Sequence, residues 1–429
     1  MPPATAGAVP HDVLLLIFAL LPPGDLIFGV PRASKALAAA AAAQVARLRE
    51  EAVGLQEWAR YRYDRGAGAF SVPLWALQEA WGRLTQAQRE HAAERAAFHG
   101  DVAVLDWALS MLARPRSATG VCVAAAAGGQ LEALQHARVR GCPFDKDTCK
   151  AAASGGNLAV LEWVRAQDPS SSWDEWTFVA AAKDGNLAVM EWMRAQDPPC
   201  PWDEWTCNAA ARTGGSLAVL QWLRAQQPPC PWSKRTCAGA ATTGQLAVLQ
   251  WARAQQPPCP WDATTCGDAA SGGQLAALQW ARAQQPPCPW NSTTCENAAK
   301  WGHLSVLQWA RTQQPPCSWG KRTCEAAAKG GHLAVLQWAR AQKPPCPWGE
   351  RTCEAAAKGG HLAVLQWART QQPPCSWGKR TCEAAAKGGH LALLQWARAQ
   401  QPPCPWDRAA CLACASAETA AWIQSQAGA

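Results

Sequence analysis

The chain has 429 residues, with 40 Lys and Arg against 32 Asp and Glu for a net charge of +8, and 49% hydrophobic against 17% charged residues. That balance excludes a disordered chain, and the basic excess is too mild for a nucleic-acid signature, so nucleic acid is not expected as a partner. The apolar run at residues 13–21 has no cationic lead and stops at Pro22 and Pro23, too short for a bilayer. Neither a secretory leader nor a membrane is therefore expected, and the chain reads as cytoplasmic or nuclear.

Residues 1–45 do not share the pattern of the rest of the chain. Their apolar run predicts an amphipathic helix, a break at Pro22 and Pro23, and a second short helix capped near Asp25. Two short helices with an apolar surplus need something to cover them. Residues 46–95 form a charged helical connector, with Arg47, Arg49, Glu50 and Glu51 early and Arg89, Glu90 and Glu94 late.

From residue 96 to 429 the chain is an array of about eleven units with a degenerate end after Cys411. The phrase Leu-Gln-Trp-Ala-Arg, or its equivalent, returns at Trp107, His136, Trp163, Trp192, Trp222 and Trp251, and then every 29 residues to Trp396. Such a period is the mark of a solenoid, whose units bury their apolar faces only against neighbours. In the unit at residues 323–345, an Ala-rich first helix opens at Thr323 as N-cap and ends at Gly330 and Gly331. A second helix runs from Leu333 to Gln342, apolar at Leu333, Val335, Leu336, Trp338 and Ala339 and wet at Ala334, Gln337 and Arg340, until Pro344 and Pro345 stop it. A Cys-Pro-Trp connection, Cys346 to Trp348, leads into the next unit. The expected class is all-α, a helix-turn-helix solenoid, and a monomer.

These residues resemble the ankyrin repeat, through Thr323, Cys324, Ala327, Ala328, Gly331, His332, Leu333, Val335 and Leu336. The unit is shorter than the usual ankyrin repeat, and its Cys-Pro-Trp segment stands where that family has a β-hairpin finger. The resemblance implies protein interaction by an ankyrin-like array with clipped or absent fingers. The N-terminus in turn resembles an F-box, through Val9-Pro10, Asp12, Val13-Leu14, Ile17-Phe18, Leu21, Pro23 and Asp25-Leu26. That resemblance implies docking on a Skp-type adaptor, with Leu14, Ile17, Phe18, Leu21 and Leu26 in the contact and Pro10, Pro23 and Asp25 setting its geometry. Beyond Leu26 the pattern departs: Pro31 interrupts it and Leu37 stands for the expected Trp.

The 20 Cys are repeat positions, paired seven apart from Cys200/Cys207 to Cys404/Cys411. Equivalent residues of successive units lie about 8 to 10 Å apart, too far to pool four zinc ligands, so the thiols read as small buried hydrophobes and no metal is expected. The aligned Arg at 253, 282, 311, 340, 369 and 398 each lie in the last turn of a second helix, where the dipole alone favours a cation. The His at 303, 332, 361 and 390 occupies the turn, with a hydrogen bond to a neighbouring loop expected. No phosphate-binding glycine loop or nucleophile–base pairing appears, so neither catalysis nor a cofactor is expected.

Specificity is sought where units differ: Asp174, Glu175 and Trp176; Asp203, Glu204 and Trp205; Lys234 and Arg235; Lys321 and Arg322. The sequence thus points to a non-enzymatic adaptor that presents an unknown target protein to a cullin-type ubiquitin ligase. The alternative is a plain interaction scaffold without a ubiquitin role.

Overall fold

The structure is a computed structural model that describes residues 74, 77–78, 81–112, 119–143, 145–167, 173–212 and 217–426. Among them are 24 α-helices and no β-strand, as an all-α solenoid requires. The F-box-like residues Pro10, Leu14, Ile17, Phe18, Leu21, Pro23, Asp25 and Leu26 lie outside the described residues. The chain divides into two compact units, residues 1–202 and 203–429.

The repeat at residues 321–345 shows how the sequence makes a unit. Its first helix runs from Lys321 to Gly330, with Gly320 as the N-cap. Thr323, expected as the cap, instead sits at the third helical position, where its hydroxyl accepts the Gly320 N–H at 3.3 Å. Burial explains the shift: Thr323 is fully covered by neighbours, and a cap belongs at the exposed edge. Gly331 takes φ 77°, a left-handed conformation that favours glycine, and its N–H and that of His332 close on Ala328 and Ala327 carbonyls. The second helix, Leu333–Ala341, buries Val335, Leu336 and Ala339 and leaves Ala334 and Gln337 exposed.

Small residues decide how the units stack. Thr323, Cys324, Ala327 and Ala328 are the buried positions of the first helix, and side chains this short let first helices lie closely against one another. Within residues 203–429 the first helices pack in succession, from Glu204–Arg212 through Lys379–Lys387 to Arg408–Cys414, and each second helix lies on its own first helix. Within residues 1–202 the same order links Gln86–His99, Thr119–Gly128, Lys146–Gly155 and Glu175–Asp184. The last helix, Ala417–Ser425, is closed by Arg408, which donates to the Ile423 and Gln424 carbonyls.

Three side chains per repeat hold the connection. Arg340 donates Nη1–H to the Cys346 carbonyl at 2.8 Å and lies over the Trp348 ring at 4.3 Å from its centroid. The dipole is therefore not the whole reason for the Arg column: it clamps the loop. The same stacking recurs at 4.0 to 4.6 Å from Arg165 over Trp173 to Arg398 over Trp406. Trp348 in turn meets Trp367 of the next second helix edge to face at 5.7 Å. Gln342 and the Cys346 N–H satisfy the Trp338 and Ala339 carbonyls that end the second helix.

None of the cysteines is in a disulfide, and all but the half-exposed Cys414 are buried. Cys346 donates its S–H to the Gly320 carbonyl, and Cys324 donates to the Cys346 carbonyl, so the thiols tie one unit's loop to the helix start before it. The turn histidines reach further back than a loop. His332 Nε2 stands 3.0 Å from the Lys300 carbonyl of the preceding first helix, and since a carbonyl only accepts, that nitrogen carries the proton. Asn157 and Asn186 do the same work with Nδ2 on the Ala126 and Ala153 carbonyls. His and Asn share this slot because each offers a donor at the right reach.

Candidate functional site

The first helices carry the array's charged outward face. In Lys321–Gly330, Glu350–Lys358 and Lys379–Lys387, an Arg stands in the first turn (Arg322, Arg351, Arg380) and a Glu one turn on (Glu325, Glu354, Glu383). A Lys stands near the end of each helix (Lys329, Lys358, Lys387). Stacking of the helices turns these positions into three parallel rows. The Arg and Lys are exposed and the Glu half-buried. With Glu350 and Lys379 they line overlapping open depressions, seven cations against four anions.

Local helix energetics accounts for only part of this pattern. A Lys in the last turn is favoured by the helix dipole, but an Arg in the first turn is opposed by it. None of the nine side chains in the rows takes part in an ion pair among the described residues. Some charges elsewhere in the array are used internally: Lys234 pairs with Asp262 of the next unit at 2.8 Å, and Arg140 with Asp106.

The residues singled out in the sequence all fall in or beside the first turns of first helices. Asp174 is the N-cap of Glu175–Asp184, accepting the Thr177 N–H at 3.2 Å, and Lys146 lies 3.8 Å from it. Trp176, beside Glu175, is 44% exposed. Asp203 accepts the Trp205 N–H at 2.9 Å, with Glu204 opening the helix Glu204–Arg212. Trp205 and Arg235 are brought together, the guanidinium 4.4 Å from the ring centroid. Arg322 belongs to the charged rows and Lys321 opens the same helix, both well removed along the array from Trp205 and Arg235.

Sequence reasoning missed the rest of the rows because it discounted positions repeated in every copy as stacking positions. Lys329, Lys358 and Lys387 are repeated and exposed, so stacking does not explain them. A charged residue at the array period, on a helix whose buried positions are already assigned to Ala, Thr and Cys, was the available signal.

No family profile matches the chain, and no curated protein matches it. Among solved structures, the pentatricopeptide repeat protein PPR10 in complex with an 18-nt psaJ RNA element is similar to it, with 16% identity and a TM-score of 0.38 over 97% of this chain and 67% of that one. A cysteine-to-serine variant of that protein with the same RNA element gives the same values. What stands is a helical array of about 29-residue units; the ankyrin and F-box resemblances find no counterpart among these matches. The expectation against nucleic acid as a partner is corrected: both of these solved chains are in complex with an 18-nt RNA element. Among the described residues no helix is long and apolar enough to cross a membrane.

Proposed function

We propose that the chain is a non-enzymatic interaction scaffold that presents the outward face of its first helices at residues 321–387 to a macromolecular partner. The observation that carries this reading is the set of charged rows that no ion pair among the described residues uses and that the helix dipole opposes at Arg322, Arg351 and Arg380. Charged surface of this kind steers and selects partners more than it adds to fold stability. The candidates Asp174, Glu175, Trp176, Asp203, Glu204, Trp205, Lys234, Arg235, Lys321 and Arg322 remain target-contact proposals on the first-helix edges. A photocrosslinking residue at Arg351 is expected to capture a partner that the same residue at Gln337, on the second helix, does not. Equal capture at both positions, or none at Arg351, would sink the reading.

The finer reading is a ubiquitin-ligase target-recognition subunit, supported by the F-box-like pattern from Val9 to Leu26 followed by an array. Its test is co-purification with a Skp-type adaptor, which the Ile17→Asp/Phe18→Asp double variant should lose while keeping its helicity. No binding by either chain leaves the scaffold alone.

A further inference from the structure

Within that scaffold reading, we infer that the charged rows at residues 321–387 receive an α-helical segment of another protein, laid along the array axis, with acidic residues on both flanks and basic residues along its centre. The inference rests on dimensions as well as on sign. Arg322 and Lys329 are seven residues apart on one helix, so the two basic rows run about 10.5 Å apart, close to the roughly 10 to 12 Å diameter of an α-helix. The Glu row of Glu325, Glu354 and its equivalents lies between them, half-buried along the floor. A helix resting on that floor would set its flanks against the two basic rows and its underside against the carboxylates.

The pitch along the array agrees. Successive first helices lie about 8 to 10 Å apart, and a heptad step of an α-helix advances about 10.5 Å. Over three columns the mismatch stays within the reach of Arg, Lys and Glu side chains. An extended strand fits less well, because its same-face residues recur at about 6.6 and 13 Å. The partner is thus recognised by charge complementarity in two directions, across the rows by sign and along them by heptad spacing.

The test uses the full chain and synthetic peptides of about four heptads. One carries acidic flanks and a basic centre in heptad phase; a second has the same composition with its acids at a five-residue spacing; the third probe is single-stranded RNA of equal net charge. Binding by fluorescence anisotropy in about 0.15 M salt is expected to favour the in-phase peptide by about tenfold or more, a difference of about 1.4 kcal/mol. Arg351→Glu should reduce it by a similar factor, and Glu354→Lys should weaken it until the facing Lys of the peptide is changed to Glu. Equal binding of both peptides, tighter binding of the RNA, or no peptide binding would overturn this inference. The scaffold reading fails separately, if the Arg351 photocrosslink captures nothing.

Discussion

The Arg340 guanidinium lies 4.3 Å from the centroid of the Trp348 ring. A column read from sequence as helix-end charge is therefore a clamp, in which a planar cation stacks on one side chain and donates to the Cys346 carbonyl. Arg340→Lys is expected to cost about 1 to 2 kcal/mol, because an ammonium cannot stack and donate from the same fork, and Arg340→Ala about 2 to 3. Urea unfolding midpoints of the three proteins test it; equal midpoints for Arg and Lys would reduce the column to charge alone.

Gly331 sits at φ 77°, and a Cβ there would stand 2.5 Å from His361 Nδ1 of the next unit. Gly331→Ala should therefore lose both the left-handed backbone preference, about 1 to 2 kcal/mol, and the space for the ring. In a His361→Ala background only the backbone cost should remain. A double-mutant cycle on thermal unfolding reads the difference, and strict additivity would show that the ring yields freely.

Buried hydroxyls differ along the array. Thr236 Oγ1 has no hydrogen-bond partner among the described residues, whereas Thr323 accepts the Gly320 N–H. Thr236→Val is expected to be neutral or to stabilise by about 1 kcal/mol, and Thr323→Val to destabilise by about the same amount. Matched losses in both variants would contradict the assigned bonding.

The array should weaken in alkali. Hydrogen bonding to the cysteine of the following loop (Cys230, Cys259, Cys346 and Cys375), then burial, pushes the Cys207, Cys237, Cys324 and Cys353 thiols well above their ordinary value near 9.0, and burial pushes Cys411 up to about 12. Above pH 9 the unfolded chain releases protons that the folded chain retains at these thiols, so their contribution falls with rising pH, while Cys346 and Cys375, held below their ordinary value by the same hydrogen bonds, act in the opposite sense. Below pH 9 this contribution is fully present. Denaturant titrations between pH 8 and 10 measure the slope, and Cys324→Ala with Cys353→Ala should make it shallower. The native chain should also leave these thiols untouched by a thiol reagent that modifies them all in denaturant.

Acid should act at Asp262. Burial pulls its carboxyl upward, but hydrogen bonds from Lys234 and Thr264 outweigh it and hold the group below its ordinary value. Its contribution is present above about pH 4 and is lost as pH falls through the lower folded value. Lys234→Met should return the Asp262 titration, followed by carboxyl NMR, toward the ordinary range.

The helix pairs, their glycine turns and the proline stops were legible in the sequence because they depend on local rules that every copy repeats: apolar positions at helical spacing, and Gly331 and Pro344 in places where chain geometry demands them. The buried set of Val335, Leu336 and Ala339 followed from the same periodicity. Thr323 was misplaced by three residues because a Thr serves equally as cap or as a buried first-turn acceptor, and only its neighbours distinguish the two.

Sequence alone determined the period, the all-α class and which face of each second helix turns inward, since each depends on spacing within one unit. Tertiary structure decided what the repeated polar side chains do, because their partners lie in other units or across a loop: His332 on the Lys300 carbonyl, Cys346 on the Gly320 carbonyl, Arg340 on Trp348. It also turned Arg322, Glu325 and Lys329 from scattered helix positions into rows, for stacking aligns residues a whole repeat apart and so gives the exposed charges a common direction.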